Sequence, residues 1–259
     1  MKVVILAGGL GSRLSEETSL RPKPLVEIGG RPIIWHIMKH YAKYGFKEFV
    51  ICLGYKAHSF KEYFTNFFIH NSDLTIDLSN NKIETHNTCG EDWKVTLVDT
   101  GLHTMTGGRV KQIERFITED SFMLTYGDGV SDVNLHALLD THNSHKKIGT
   151  LTAVQPLESR FGVLDLDKNQ KIIRFTEKPK ETETWINGGF FIFRKEFFKY
   201  LKHEANLVLE REPFEAIAKD GEFYSHRHQG FWKCMDTLRD KQQLEKMWEE
   251  GNAPWKTWG

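Results

Sequence analysis

The stretch Lys2-Val3-Val4-Ile5-Leu6-Ala7-Gly8-Gly9-Leu10-Gly11-Ser12-Arg13-Leu14 carries the reading of the fold. A short β-branched apolar run closed at once by two glycines predicts a fully buried strand over Lys2 to Ala7. A polar loop with Pro22 and Pro24 follows, and Pro32 stands where a helix begins. Ile33, Ile34, Ile37, Met38 and Tyr41 then repeat at helical spacing until Gly45 stops them. Glu48 to Leu53 is a second apolar strand. Strand, loop, helix, strand is a βαβ unit, which requires a right-handed crossover and sets the loops at the carboxyl ends of parallel strands.

The alternation runs on. An aromatic helix is expected over Lys56 to about His70, strands near Leu74–Leu78 and Lys94–Val98, a helix from about Arg109 to Ile117, and a strand over Phe122–Tyr126. A helix after Asp132 leads to a strand over Thr150–Pro156. The rhythm then changes: Val163–Asp165 and Ile172–Phe175 flank Asp167-Lys168-Asn169-Gln170 as a β-hairpin, and Ile186–Phe193 is another strong strand. Helices near Arg194–Lys202 and Glu212–Lys219, a strand over Glu222–His228 and a helix over Thr237–Glu250 complete the pattern. The expected architecture is a three-layer α/β/α sandwich around a mixed, largely parallel sheet, with its ligand site at the strands' carboxyl ends.

Lys+Arg (35) balances Asp+Glu (35), which removes the single-sign field of a general nucleic-acid or anionic-membrane binder. The first apolar run is too short for a signal segment or a membrane span, so a cytoplasmic protein is expected. Cys52, Cys89 and Cys234 are odd in number, widely spaced and free of any C-x-x-C pair, so they read as reduced thiols. The stripe Tyr63, Phe64, Phe67 and Phe68, in an insertion over about 54–95, carries more apolar surface than a solvent-facing element needs. It points to a homo-oligomer.

Four segments can carry chemistry. The glycine-rich turn lets backbone N–H groups approach a polyphosphate, and Arg13 adds a permanently charged fork. No Gly-Lys-Ser/Thr closes it as a phosphate-binding Walker loop, and Leu14 with the two prolines spoils a dinucleotide fingerprint. Pro22 and Pro24 bracket Lys23 and hold one ammonium with little main-chain freedom. Thr104-Met105-Thr106-Gly107-Gly108-Arg109 offers donors at a helix start, which an ordinary N-cap explains equally well. Gly127-Asp128-Gly129 ends a strand with a carboxylate suited to Mg²⁺, and Asp236 at another strand-to-helix junction is a second ligand or an N-cap. Glu177-Lys178-Pro179 and Asn187-Gly188-Gly189 add a lysine and an amide. His36 and His40 share a helix face without the glutamate of a zinc-protease helix, and they read as structural.

Taken together, Leu6 to Arg13, Arg21-Pro22-Lys23-Pro24, Gly127-Asp128-Gly129, Glu177-Lys178-Pro179 and Asn187-Gly188-Gly189 resemble the sugar-1-phosphate nucleotidylyltransferases. Val98-Asp99-Thr100-Gly101, Met105 to Arg109, Arg160-Phe161-Gly162, Met235 to Asp240 and Ala253 to Trp258 look most like the cytidylyl-transferring members. The resemblance spans the chain and implies a single nucleotidyltransferase domain over 1–259, with a sugar-binding, antiparallel portion over about 150–230. Lys233, Cys234 and the run Asn87 to Asp92 depart from the family pattern. The implied reaction is attack of an α-D-glucose 1-phosphate oxygen on the α-phosphorus of CTP, supplying CDP-linked precursors for surface polysaccharide such as lipopolysaccharide O-antigen.

By the same resemblance Leu6, Ala7, Gly8, Gly9, Leu10, Gly11, Ser12 and Arg13 cradle the triphosphate, and Lys23 stabilises the reacting phosphate. Arg13, Lys23 and Asp128 are the implied catalytic set. Thr104, Gly107, Gly108, Arg109 and Gly127 face the nucleoside; Tyr126, Glu177, Lys178, Asn187 and Gly188 hold the sugar phosphate; Asp128 and Asp236 hold Mg²⁺. The same chemistry on UTP, dTTP or another sugar, and a nucleotide-binding relative without turnover, are the competing readings. A hexamer is one implied assembly.

Overall fold

In this computed structural model residues 1–87, 90–155 and 185–259 are described in full, and strands Val163–Leu166 and Ile172–Thr176 by backbone. Strand Val3–Leu6 lies at the heart of a seven-stranded sheet, between Glu48–Leu53 and Ser121–Tyr126 and parallel to both. Lys94–Asp99 extends it in parallel beyond Glu48–Leu53. On the other side Ile186–Arg194 runs antiparallel to Ser121–Tyr126 and to Gly149–Val154, which in turn pairs in parallel with Phe223–His228. One reversed strand therefore joins the two parallel parts into a single sheet, as the change of rhythm after residue 156 predicts.

Strand alternation sends Val3, Ile5, Phe49, Ile51, Met123 and Ile192 to one face and Val4, Val50, Leu124, Phe191 and Phe193 to the other. The first face is covered by helices Ile33–Lys43, Leu135–His145 and Leu238–Glu249, with Trp255 packed among them. The second is covered by Thr106–Gln112, Glu212–Lys219 and the 3₁₀ turn Lys195–Tyr200. Both faces are apolar and both are covered, which is why the central strands read as continuous hydrophobic runs.

Several boundaries differ from the sequence reading. The aromatic helix is two, Ala57–Thr65 and Phe67–His70, broken at Asn66. Helix Thr106–Gln112 starts three residues before Arg109 and gives way to a 3₁₀ turn, Glu114–Phe116. Arg194–Lys202 forms the Lys195–Tyr200 3₁₀ turn and no α-helix. Glu27–Ile28 pairs with Arg31–Pro32 across Gly29 (φ 58°) and Gly30 (φ 72°), a two-residue hairpin that only glycine adopts without strain. Asp73–Asp77 has a partner strand, Lys82–His86. The expected hairpin of the second half is present as Val163–Leu166 against Ile172–Thr176, and its turn lies outside the described residues. His36 and His40 are core residues, with His36 Nε2 2.8 Å from the Ile28 carbonyl and His40 Nδ1 3.0 Å from Thr257 Oγ1.

Candidate active site

Six stretches of chain meet above the carboxyl ends of Val3–Leu6 and Ser121–Tyr126 and line a cleft of about 500 Å³. That is within the usual range for a small-molecule site. Asp128 arrives directly after its strand, with Gly127 N–H donating to the Leu6 carbonyl at 3.0 Å. Asp236 is brought alongside by a short antiparallel pairing of Gly129–Ser131 with Trp232–Cys234, which sets Cys234 opposite Gly129. Met235 N–H then donates to the Asp128 carbonyl at 2.9 Å. The N-cap of the last helix is Thr237, boxed with Asp240, and not Asp236. The Asp236 carboxylate instead takes part in the charge cluster below.

Lys23 stands between the two aspartates. It opens a 3₁₀ turn, Lys23–Leu25, with Pro22 at φ −64° and ψ 146° before it and Pro24 after it. Its Nζ donates to Asp128 Oδ2 at 2.6 Å and to Asp236 Oδ1 at 2.7 Å. Arg13 Nη1 reaches the other oxygen, Asp236 Oδ2, at 2.8 Å. The Lys23 side chain is 9% exposed and Arg13 68%, so one cation is fixed in the floor and the other sits at the mouth. Burial alone would lower the Lys23 pKa; the charges and hydrogen bonds of Asp128 and Asp236 outweigh it and hold the ammonium above the ordinary lysine value. Burial would likewise raise Asp236, but Lys23 and Arg13 hold its carboxyl below the usual aspartate range.

Cys234 lines the cleft and donates its S–H to Asp236 Oδ2 at 3.4 Å. Burial and the neighbouring carboxylates push its thiol up to about 12, which keeps it protonated and a poor nucleophile. Among the described residues no group of three or more His, Cys, Asp or Glu is arranged to hold a metal. Asp128 and Asp236, however, already converge on one cationic atom, and two carboxylates with phosphate and water oxygens are what Mg²⁺ takes.

The glycines play different parts. A Cβ on Gly9 would meet nothing within 4 Å, so the turn leaves open space for a ligand there, whereas Gly11 is left-handed at φ 65° and its Cβ would lie 2.8 Å from Thr18 Cγ2. Gly8 is a glycine for another reason: its Cβ would lie 2.2 Å from Arg109 Nη1. Arg109 is buried, and its fork donates to Leu53 O at 2.7 Å, Thr100 Oγ1 at 2.6 Å, Gly8 O at 3.0 Å and Leu102 O at 3.3 Å. The expected base-facing Arg109 is thus a strut that ties the glycine turn to the next loop.

Gly107 and Gly108 also differ from expectation. They lie inside the helix and off the cleft, their N–H groups donate to Leu207 O at 2.9 and 3.2 Å, and a Cβ on Gly108 would meet Glu204 O at 2.6 Å. Gly188 packs against Gly149–Val154, where a Cβ would lie 2.7 Å from Val154 Cγ1, and its carbonyl accepts from Trp232 Nε1 at 2.6 Å. Leu10 is 53% exposed and does not line the cleft.

Leu6, Ala7, Gly8, Gly9, Gly11, Ser12, Arg13, Lys23, Thr104, Arg109, Tyr126, Gly127, Asp128, Asn187 and Asp236 are brought together as expected. Glu177 and Lys178 lie outside the described residues. Pro24, Met105, Thr106, Trp232 and Cys234 also line the cleft and were not singled out as site residues. The signal for Thr106 was present in the Met105-Thr106-Gly107-Gly108 run.

Residues 2–238 match the model of the nucleotidyl transferase family. The chain is 51% identical over 259 residues to glucose-1-phosphate cytidylyltransferase of Salmonella typhi, covering 100% of both proteins. It is 28% identical over 233 residues to D-glycero-alpha-D-manno-heptose 1-phosphate guanylyltransferase of Aneurinibacillus thermoaerophilus, covering 89% of each. A solved structure of HddC from Yersinia pseudotuberculosis complexed with GMP-PN superposes with a TM-score of 0.69 at 21% identity, over 95% of this chain and 99% of that one. A family model matching residues 2–238 and a relative 51% identical over the full length make the chain a member of the nucleotidyl transferase family.

Proposed function

We propose that the protein transfers CMP from CTP to α-D-glucose 1-phosphate, releasing pyrophosphate and forming CDP-glucose. The observation that carries this is the pairing of the Lys23–Asp128–Asp236–Arg13 floor with full-length 51% identity to the Salmonella enzyme. A sugar-phosphate oxygen forms the new bond to the α-phosphorus while the bond to the β-phosphate bridging oxygen breaks. No protein nucleophile is needed, and the chain contributes position and charge.

Lys23, held over the floor by two carboxylates, places its ammonium where negative charge gathers on the reacting phosphoryl group. Arg13, exposed at the mouth, takes the outer phosphates, which the turn at Gly9 admits without a side chain in the way. Asp128 and Asp236 would hold Mg²⁺, which when bound neutralises phosphate charge. Thr104 and the segment to Thr106 face the nucleoside, and Tyr126 and Asn187 face the hexose, with Glu177 and Lys178 assigned to the sugar phosphate. No described helix is long and apolar enough to cross a membrane. The reading is of a cytoplasmic homo-oligomer making a sugar nucleotide for surface polysaccharide.

Incubating the protein with CTP, glucose 1-phosphate and Mg²⁺ and separating the products tests the reading. CDP-glucose with equimolar pyrophosphate is expected, and is lost in EDTA and in Asp128→Asn and Asp236→Asn proteins that remain folded. Turnover that survives both treatments contradicts it.

A further inference from the structure

We propose that Glu210, which does not line the cleft, is a positioning residue that fixes the hydrogen-bond polarity of both its walls. The assignment deepens the cytidylyl-transfer reading and rests on it. Glu210 Oε1 accepts from Tyr126 Oη at 2.5 Å and Oε2 accepts from Thr106 Oγ1 at 2.7 Å. Its partners are 84 and 104 residues away in sequence, one on the sugar wall and one on the nucleotide wall.

A carboxylate can only accept, so both hydroxyl protons are turned toward Glu210 and away from the ligand. The polarity propagates. Tyr126 Oη accepts from Asn187 Nδ2 at 3.2 Å, Asn187 Oδ1 accepts from Gly189 N–H at 2.8 Å, and Thr106 Oγ1 accepts from Leu209 N–H at 2.9 Å. Tyr126 and Thr106 therefore offer the cleft lone pairs, and Asn187 offers its remaining amide N–H. Ligand hydroxyls must donate to the first two and accept from the third.

The loop that carries Glu210 is itself stitched to the nucleotide wall. Met105 N–H donates to Ala205 O at 2.7 Å, and Gly107 and Gly108 donate to Leu207 O. Glu210 is exposed, so its bonds involve little desolvation and add little to folding. What they fix is orientation in the site.

Steady-state kinetics with CTP and glucose 1-phosphate varied in turn tests this in Glu210→Ala, Tyr126→Phe, Thr106→Val and the two double variants containing Glu210→Ala. Glu210→Ala is expected to raise both KM values about tenfold with a thermal midpoint near wild type. Tyr126→Phe raises chiefly the KM for the sugar phosphate and Thr106→Val chiefly that for CTP. Neither adds its full effect on the Glu210→Ala background, because Glu210 acts through these two hydroxyls. Glu210→Gln, which keeps one acceptor oxygen, raises only one of the two KM values. KM values within twofold of wild type in Glu210→Ala, or full additivity in both double variants, overturn the assignment. Calorimetry with CTP separates the two readings: wild type that binds CTP without turnover defeats the reaction alone, and unchanged CTP affinity in Glu210→Ala then defeats the Glu210 assignment. Wild type that neither binds nor turns over CTP defeats both.

Discussion

Replacing Lys23 by methionine removes the cation that both aspartates share and keeps an unbranched side chain one atom shorter. With each carboxylate oxygen within 2.7 Å of one nitrogen, the two lie at most about 5 Å apart once that nitrogen is gone. Two unit charges at about 5 Å and an effective dielectric of about 20 repel by about 3 kcal/mol. At about 2–4 °C per kcal/mol for a chain of this size, the thermal midpoint near neutral pH falls by about 6–12 °C. The sign of the pH dependence follows from Asp236. Lys23 and Arg13 hold its carboxyl low in wild type, so that contribution is complete above the ordinary aspartate pKa and is lost only as pH falls through the depressed value. In the variant one carboxylate protonates at higher pH, so the deficit is largest at neutral pH and shrinks in acid. Millimolar Mg²⁺, supplied to a carboxylate pair no longer occupied by an ammonium, recovers part of the midpoint, and recovers more than it adds to wild type. The assay is thermal unfolding by circular dichroism at two pH values with and without Mg²⁺, beside kcat, which falls about 10²–10³-fold. A variant as stable as wild type at neutral pH, or equally destabilised at every pH, refutes the claim that charge holds this floor together.

Arg109→Met removes the buried guanidinium's bonds to Leu53 O, Thr100 Oγ1 and Gly8 O, each of which keeps a second partner, so it is expected to cost on the order of 2–3 kcal/mol in denaturant titration while leaving the ratio of CTP to UTP efficiency unchanged in whatever remains folded. A changed base ratio with intact stability would restore Arg109 as a base contact. Burial lowers His36 and His40 to about 4, so both are neutral when folded; their contribution is full above the unfolded value of about 6.5 and is lost as pH falls toward 4, about 2 kcal/mol each by pH 5. The stability slope over that range should flatten in His36→Gln and His40→Gln, and an unchanged slope counts against it. Phe68, Ile69, Ile76 and Ile83 are exposed on the crossover that follows Glu48–Leu53, so light scattering at micromolar concentration should give a multiple of the 30.1 kDa chain mass, reduced by Ile76→Lys with Ile83→Lys. A mass of one chain for wild type sinks the oligomer.

The parallel core was legible because strands buried on both faces must be continuous apolar runs, as Val3–Leu6 and Glu48–Leu53 are. The charged floor was legible because Gly127-Asp128-Gly129 and the proline-bracketed Lys23 are unusual at strand ends whatever the fold. The pairing of Gly129–Ser131 with Trp232–Cys234 escaped, since three-residue strands show no periodicity. The internal bonds of Arg109 were not legible because a Thr-Gly-Gly-Arg run at a helix start has the same local appearance whether its donors meet a ligand or another loop. Only distant partners decide: Gly8 and Leu53 for the Arg109 fork, and Leu207 for the N–H groups of Gly107 and Gly108. Glu210 had no local signal at all: within Leu209-Glu210-Arg211-Glu212 it looks like any solvated charge.

We propose a nucleotidyl-transfer site built for CTP and glucose 1-phosphate. It is tested most directly by pyrophosphate release from CTP, UTP, dTTP, GTP and ATP, each with glucose 1-phosphate and Mg²⁺, compared as kcat/KM. A site that pairs the amine and ring nitrogen of cytosine leaves polar groups unmatched against uracil, at about 1–3 kcal/mol each, so CTP should lead UTP by at least about tenfold. Equal kcat/KM for CTP and UTP, or no pyrophosphate from CTP, would contradict it.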